Sequence, residues 1–256
     1  MIPTMDAPQT EGDNLEMMGA RDEPLTETRE MLRARHIIEA ARHVARSTPA
    51  PRGTPFYGLD ADAAYDLRML DAFCARGIFR KYEFALEMGS GLGGRARWLA
   101  ARSGCRIAGV DARLPAIAAA RLLNGRAGMD DQVRFHVGRL DALPLGARIF
   151  THVWAIDLPR ALHTDDVLAE GWRVLRPGGH FALQCEPLVA ADRTALLHVL
   201  VRIGFSNLDT REVVLSEPPP AYRLACDHLR TVAPAEAVPP CPDHWRRLHV
   251  FATRPA

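Results

Sequence analysis

A glycine-rich segment after a short apolar stretch constrains the fold of this chain more than any other feature. Residues 84–95 read Phe-Ala-Leu-Glu-Met-Gly-Ser-Gly-Leu-Gly-Gly-Arg, and a second apolar stretch ends at Asp111. Because glycine lacks a Cβ atom, Gly89, Gly91 and Gly93 allow unusual dihedrals and close approach of a ligand to the backbone. A carboxylate about 20 residues further on, after the next strand, is suited to accept hydrogen bonds from ribose hydroxyls. The spacing therefore predicts a nucleoside site between two neighbouring strands.

The residue two positions before the first glycine separates two kinds of nucleoside ligand. Gly89, Gly91 and Gly94 also match the G-x-G-x-x-G spacing of a dinucleotide site, which is a weak signal by itself. Beside a pyrophosphate, Glu87 would face like charge, at a cost of kcal/mol order when partly desolvated. The same carboxylate would attract the ammonium group of an amino-acid ligand. S-adenosylmethionine (SAM) has an ammonium group and a ribose but no phosphate, so Glu87 favours SAM over NAD.

From Phe84 onward, strand-like apolar segments alternate with helix-like segments. The predicted strands lie near 84–89, 106–111, 133–138, 149–157 and 180–185, and the predicted helices near 93–103, 114–127, 164–175 and 192–203. Such alternation predicts right-handed βαβ units in a parallel sheet with helices on both faces. Ligands of such sheets lie beyond the carboxyl ends of the strands. Residues 211–215 and 248–253 are two further candidate strands.

Four motifs in the expected order make residues 84–179 resemble the class I SAM-dependent methyltransferases, in particular small-molecule members of the glycine/sarcosine methyltransferase type. They are Leu-Glu-Met-Gly-Ser-Gly-Leu-Gly-Gly (86–94), Gly-Cys-Arg-Ile-Ala-Gly-Val-Asp (104–111), Val-Arg-Phe-His-Val-Gly (133–138) and Trp-Arg-Val-Leu-Arg-Pro-Gly-Gly (172–179). The resemblance covers a little over a third of the chain. It implies a Rossmann-like, doubly wound α/β sheet of seven strands, mostly parallel with an antiparallel C-terminal strand. It also implies SAM as cofactor and a small-molecule methyl acceptor as substrate.

The resemblance assigns the residues that would hold the amino-acid and ribose parts of SAM. Glu87 would meet the amino group of SAM. The loop would surround its methionine part with the backbone of Gly89, Ser90, Gly91 and Gly93. Asp111, followed by Ala112, would accept hydrogen bonds from the ribose hydroxyls.

The adenine end of the predicted site departs from the family pattern. The two residues after Gly138, which are Arg139 and Leu140, would lie beside adenine. Such methyltransferases usually carry Asp at the position of Arg139. The contact to the adenine amino group is therefore either missing or supplied by Asp141.

Candidate catalytic residues follow from the chemistry of methyl transfer. Displacement at a sulfonium methyl group depends mainly on alignment of the reacting atoms, and a hydroxyl or protonated amine also needs a group that takes its proton. Asp157, at the predicted end of the fourth strand, is the first candidate, and its alternative role is to cap the turn before Pro159. His163 precedes a helix-start signature at 164–166 and is a weaker candidate. Tyr57 could reach the acceptor from the N-terminal region, although core packing explains it equally well.

Composition along the chain predicts three parts. Residues 1–24 are polar, acid-rich and contain three prolines, which is typical of a disordered tail. Residues 25–80 contain two amphipathic helical patterns and are expected to form a helical cap over the acceptor site. Residues 81–256 are expected to form the SAM-binding domain, with a proline-rich insertion at about 216–244.

Charge and cysteine usage narrow the possible partners. The net charge is +1 and basic residues are dispersed among acidic ones, which argues against a nucleic-acid partner. The five cysteines are scattered and form no C-x-x-C pair, which favours reduced thiols. Because the sequence has no cluster of Cys and His residues, we expect no metal site. Because neither a signal-peptide pattern nor a membrane-length apolar run is found, we expect a cytoplasmic protein without membrane contacts. The oligomeric state does not follow from the sequence.

Two proteins of other classes would share part of this pattern. An NAD-linked oxidoreductase would use the glycines and Asp111 but leaves Glu87 and the Arg-Pro-Gly-Gly turn unexplained. A non-catalytic SAM-binding protein would share the fold and the cofactor site, because a fold does not establish turnover. Binding of SAM and NAD, followed by a search for methylated product, separates the three.

Overall fold

The computed structural model describes residues 39, 41–42, 67–76, 80–158, 163–215 and 245–256. Two predicted segments lie outside these residues: the tail at 1–24 and the insertion at 216–244. Most of the predicted cap also lies outside them, as do Tyr57 and Pro159. The elements, in chain order, are α1 (Leu67–Arg76), β1 (Phe84–Met88), α2 (Gly94–Ser103), β2 (Arg106–Asp111), α3 (Leu114–Ala127), β3 (Val133–Val137), β4 (Phe150–Ile156), α4 (Asp165–Val174), β5 (Leu175–Cys185), α5 (Ala190–Ile203), β6 (Ser206–Leu215) and β7 (Trp245–Thr253).

The strands form one sheet in the order β3-β2-β1-β4-β5-β7-β6. Strands β1 to β5 pair in parallel, whereas β7 is antiparallel to both of its neighbours, β5 and β6. The expected seven-stranded, mostly parallel Rossmann-like sheet is therefore confirmed. β6 begins at Ser206, five residues before the predicted start, because it pairs with β7 along its whole length. Strand pairing, which the local sequence pattern does not report, sets that boundary.

Two apolar layers cover the two faces of the sheet, because successive side chains of a strand point to opposite sides. One layer contains strand residues such as Leu86 and Phe181 together with residues of α4 and α5, including Leu168 and Leu200. The other layer contains residues of α1, α2 and α3 together with strand residues, including Phe73, Leu99, Ile107, Ile117 and Trp154. Glu87 lies two positions after Ala85 in β1, and Asp111 lies four positions after Ile107 in β2. Because every second side chain of a strand points to the same side, Glu87 and Asp111 are on the face of the sheet that this second layer covers.

α1 packs directly on the sheet rather than standing apart from it. The ring of Phe73 contacts the rings of His152, Trp154 and Phe251, with centroid distances of 5.7, 6.5 and 6.3 Å. Phe73 and Trp154 are almost completely buried. The described end of the predicted N-terminal cap thus packs on β4 and β7, on the side of β1 away from β2.

Candidate functional site

The glycine-rich loop between β1 and α2 adopts the left-handed conformation that its glycines permit. Gly89, Gly91 and Gly93 have φ angles of +76°, +53° and +81°. A Cβ atom at Gly89 would lie 2.3 Å from Leu158 Cδ2, and one at Gly93 would lie 2.2 Å from the ring of Phe135. A Cβ atom at Gly91 would meet nothing closer than 3.7 Å. Two of the glycines are therefore required by protein packing, and Gly91 is the one with space for a ligand beside it.

Backbone hydrogen bonds fasten this loop to β2. The N–H groups of Gly89 and Ser90 both donate to the carbonyl oxygen of Val110, at 2.8 and 3.0 Å, and the N–H of Gly91 donates to Asp111 Oδ2 at 2.9 Å. Asp111 therefore supports the loop as well as standing beside it. The hydroxyl of Ser90 is buried and finds no hydrogen-bond partner in the described part of the chain. A polar ligand beside Gly91 could supply the hydrogen bond that the buried Ser90 hydroxyl lacks.

Asp111 is buried, but both of its carboxylate oxygens are engaged by its neighbour on the chain. Oδ1 accepts hydrogen bonds from the backbone N–H and the Nε of Arg113, at 2.9 and 3.1 Å, and Oδ2 accepts one from Arg113 Nη2 at 3.2 Å. Burial acts to raise the pKa of Asp111, but the hydrogen bonds from Arg113 and Gly91 outweigh it and hold that pKa below its ordinary value. The carboxylate is thus ionised, and the Arg113 guanidinium that covers it is largely exposed.

Glu87 is fully buried below the loop and is paired with the first turn of α2. The Nε of Arg95 donates to Glu87 Oε1 at 2.6 Å, and Arg95 Nη2 donates to the carbonyl oxygen of Gly89 at 3.3 Å. Burial raises the pKa of Glu87 above its ordinary value, and the Arg95 guanidinium counteracts part of that shift. The second oxygen, Oε2, makes no hydrogen bond of ordinary geometry within the described residues, although the Trp154 indole lies near enough to lower the pKa of Glu87. One carboxylate oxygen therefore holds Arg95, and the other is the atom that a ligand could use.

The region assigned to adenine begins beside Asp111 and then turns outward. The N–H of Gly138 donates to the carbonyl oxygen of Asp111 at 3.1 Å. The exposed guanidinium of Arg139 binds the carboxylate of Asp141, with 2.9 Å between Nε and Oδ1. Leu140 is buried near Gly89. The structure therefore brings Leu140 to the loop and directs Arg139 to its own neighbour at the surface. Ala112 is exposed.

The fourth strand ends in an unusual residue. Asp157 adopts a φ of +50°, in the left-handed region that non-glycine residues rarely occupy. Its N–H donates to the carbonyl oxygen of Gln184 at 3.0 Å, and its carboxylate accepts from Arg247 Nε at 2.9 and 3.2 Å. The next residue, Leu158, is the one that closes over Gly89. Asp157 therefore lies beside the glycine loop, bound to a residue of β7.

Sequence reasoning missed the contribution of β7 to this region. Arg247 and His249 lie on the same face of that strand, and His249 is 4% exposed and stands opposite Gln184 of β5. The one signal in the sequence is the alternation of these polar residues with the buried Leu248 and Val250. Alternation indicates a strand with two different faces, but not which other strand end it will reach.

The remaining candidates have simpler surroundings. α4 begins at Asp165 as predicted, with the Oγ1 of Thr164 accepting from the Val167 N–H at 3.4 Å, and His163 is a half-buried residue just before that cap. The described residues contain no cluster of His, Cys, Asp and Glu side chains that could hold a metal ion. None of the helices in the described ranges has the length and apolar character needed to cross a membrane.

Comparison with known proteins shows that part of the chain is similar to methyltransferases. Residues 86–183 match the model of a family described as a methyltransferase domain. A sarcosine/dimethylglycine N-methyltransferase of Halorhodospira halochloris is 34% identical over 132 residues, which are 50% of this chain and 46% of that protein. A 24-methylenesterol C-methyltransferase 2 of Oryza sativa subsp. japonica is 33% identical over 95 residues, which are 37% of this chain and 26% of that protein. The chain thus spans less than half the length of these two curated relatives.

Among solved structures, the [4+2]-cyclase SpnF is similar over 88% of this chain and 95% of its own, with a TM-score of 0.59 and 20% sequence identity. At this level of identity the similarity establishes a shared fold and nothing about the reaction.

Proposed function

We propose that this protein transfers a methyl group from SAM to nitrogen or oxygen of a small-molecule acceptor, and the match of residues 86–183 to a methyltransferase domain supports the proposal. The observation that carries the proposal is the arrangement of Asp111 and Gly91. The carboxylate after β2 binds the backbone N–H of the loop residue that has space for a ligand beside it. SAM, when bound, supplies an electrophilic methyl group on a sulfonium.

The donors and acceptors around the loop fit SAM better than a dinucleotide. A pyrophosphate needs cationic or N–H groups directed at it. The guanidinium of Arg95, in the first turn of α2, is not available for that role. Arg95 points to the Glu87 carboxylate and the Gly89 carbonyl oxygen. The free oxygen of Glu87 and the unpaired hydroxyl of Ser90 are instead suited to an ammonium and a carboxylate or hydroxyl. These groups support SAM as the ligand rather than NAD.

The ribose of SAM would replace Arg113 on the Asp111 carboxylate. The hydrogen bonds from the Gly91 and Arg113 backbone N–H groups leave acceptor capacity on both oxygens, which the Arg113 side chain uses in this structure. An exposed guanidinium gains little from such a pair, since water competes for both partners. Two ribose hydroxyls could therefore take its place at small cost.

We assign the acceptor to the neighbourhood of Asp157. Its carboxylate follows β4, next to the residue that covers Gly89, and is thus close to the end of the cofactor loop. The same carboxylate could orient an acceptor or take its proton. The relatives include both an N- and a C-methyltransferase, so the acceptor atom is the part of this proposal that needs direct measurement.

A two-stage experiment tests the proposal. Calorimetric titration with SAM, S-adenosylhomocysteine (SAH) and NAD comes first, and we expect the two sulfur compounds to bind and NAD not to. Incubation with methyl-labelled SAM and a metabolite panel follows, with mass spectrometry to locate the label. Tight NAD binding contradicts the cofactor assignment. Binding of SAM without a labelled product on any acceptor contradicts the transferase and favours a non-catalytic SAM-binding protein.

A further inference from the structure

A buried arginine in the first turn of α2 lies against the loop that the proposed function assigns to the amino-acid end of SAM. Arg95 Nε donates to Glu87 Oε1 at 2.6 Å, and the two side chains are 9% and 0% exposed. Arg95 Nη2 donates to the carbonyl oxygen of Gly89 at 3.3 Å, and Nη1 donates to that of Ile156 at 3.5 Å. The guanidinium therefore joins the carboxyl ends of β1 and β4 beside the glycine loop.

Two further features of this loop suit an anionic group. The Ser90 hydroxyl is 3% exposed and finds no hydrogen-bond partner in the described part of the chain. α2 begins directly after Gly93, which provides no side-chain cap for the helix. Because a hydroxyl can donate and the first turn of a helix carries partial positive charge, both features favour a carboxylate nearby. Gly91, between them, has space for a ligand beside it.

The charge of the Glu87–Arg95 pair decides which ligand end it can accept. A carboxylate can take up a proton, whereas a guanidinium does not lose one, so the pair is either neutral or positive and never negative. Burial raises the pKa of Glu87 and thus favours its uncharged form, while the guanidinium groups of Arg95 and the buried Arg97 act against that shift. A lone ammonium would therefore bring an uncompensated positive charge into a buried region that already contains two guanidinium groups.

An ammonium that arrives together with a carboxylate adds no net charge. Resting on the function proposed above, we infer that Arg95 is a specificity-determining residue of the cofactor site, which makes binding depend on the carboxylate of SAM and discriminates against decarboxylated SAM. Glu87 meets the ammonium, whereas Arg95, with the Ser90 hydroxyl and the start of α2, favours the carboxylate. Arg95 acts on the ligand by its charge and remains bound to Glu87.

Ligands that differ only in their charged groups test this inference without turnover. Calorimetric titration compares SAH with decarboxylated SAH, which keeps only the ammonium, with desamino-SAH, which keeps only the carboxylate, and with methylthioadenosine, which has neither. In the parent, loss of the carboxylate should weaken binding about 10-fold or more beyond the effect of losing the ammonium. Decarboxylated SAH should bind no better than methylthioadenosine, because its ammonium gains nothing beside Arg95.

Variants of the pair should change this order in opposite directions. Arg95→Met leaves the Glu87 carboxylate without its guanidinium partner, so decarboxylated SAH should become the tighter of the two singly charged ligands, by about 10-fold or more. Glu87→Gln should weaken decarboxylated SAH further and spare desamino-SAH. The double variant, which retains neither charge, should bind the two within a few-fold of each other. Arg102→Met, at the exposed end of α2, is the matched control and should keep the order of the parent.

Thermal unfolding of each variant establishes that it is folded before its affinities are compared. If Arg95→Met does not fold, the double variant decides, because it also lacks the guanidinium. The inference is overturned if the parent loses no more affinity with the carboxylate than with the ammonium. It is also overturned if the order of the parent persists in a folded variant without Arg95. Failure of SAH to bind the parent is a separate outcome, because it refutes the proposed function itself.

Discussion

The Nε atom of Arg247 lies 2.9 Å from Oδ1 and 3.2 Å from Oδ2 of Asp157, although the two residues are 90 positions apart in the sequence. Their side chains are 21% and 26% exposed, so the pair is shielded from much of the solvent. Asp157 also holds a left-handed backbone conformation, and residues in such conformations concentrate at functional sites. The carboxylate at the end of β4 is therefore positioned by both its backbone and its partner.

Replacement of Asp157 by Asn should remove catalysis and preserve the fold. Asn tolerates the left-handed conformation as well as Asp does, so stability should change little. If the carboxylate orients or deprotonates the acceptor, kcat should fall by about 10²- to 10⁴-fold. Steady-state kinetics with the identified acceptor and an SAH titration measure the two effects. Asp166→Asn, on the exposed start of α4, is the control. Turnover within a few-fold of the parent removes Asp157 from the mechanism.

Asp111 and Arg113 should affect cofactor affinity in opposite directions. Asp111→Ala removes the acceptor of the ribose hydroxyls and should weaken SAH binding by about 1 to 3 kcal/mol. Arg113→Ala removes the group that covers this carboxylate and should strengthen SAH binding by up to a few-fold. Calorimetric titration measures both. Asp131→Ala and Arg134→Ala, both exposed, are the controls. Weaker binding in Arg113→Ala would show that the guanidinium contacts the ligand instead of competing with it.

The buried pair of Glu87 and Arg95 should contribute to stability as a unit. Removing one partner leaves a buried charge without compensation, so Glu87→Gln and Arg95→Met should each cost about 3 to 5 kcal/mol in the free energy of unfolding. The double variant should cost clearly less than the sum of the two. Urea denaturation of all four proteins gives the coupling energy. Additive losses would mean that the two charges do not depend on each other.

Gly93 and Gly128 test the packing role of the glycine loop separately from its backbone conformation. Both residues have positive φ angles, +81° and +66°, but a Cβ atom would clash with Phe135 only at Gly93. Gly128→Ala should cost the backbone contribution alone, about 1 to 2 kcal/mol. Gly93→Ala should cost about 1 to 3 kcal/mol more, because the Phe135 ring must move. Urea denaturation measures the difference. Equal losses would show that the ring adjusts without cost.

His152 should make the protein less stable in acid. Burial, and then His180 and Arg176, lower the pKa of His152 from its ordinary value of 6.5 to about 3 in the folded protein. The unfolded chain therefore binds a proton at a higher pH than the folded chain does, so stability is fully present above 6.5 and is lost as the pH falls towards 3. Urea denaturation between pH 3 and pH 6.5 should show that the free energy of unfolding of His152→Gln depends less on pH than that of the parent, because glutamine does not titrate. The exposed His198→Gln should leave the dependence as in the parent.

Local patterns predicted most of the parallel half of the fold. Apolar runs separated by helical spacing gave the positions of β1 to β4, and Thr164 marked the start of α4. Short, regular spacing also predicted that Asp111 lies beside the glycine loop, and the hydrogen bond from the Gly91 N–H to Asp111 Oδ2 places it there, whereas nucleoside binding by these residues stays a prediction. The sequence did not reveal that Gly89 and Gly93 serve packing, because the side chains that exclude a Cβ atom belong to Leu158 and Phe135.

By itself, the sequence determined the class of the fold, the order of its parallel strands along the chain, and the two carboxylates around the glycine loop. These depend on residue type and spacing within about 30 residues, which are readable without a structure. Only the tertiary structure decided that Arg95 occupies one oxygen of Glu87, that Arg113 covers Asp111, and that β7 brings Arg247 to the end of β4. Such contacts depend on which strands become neighbours, and antiparallel insertion of β7 beside β5 joins residues that no local pattern connects.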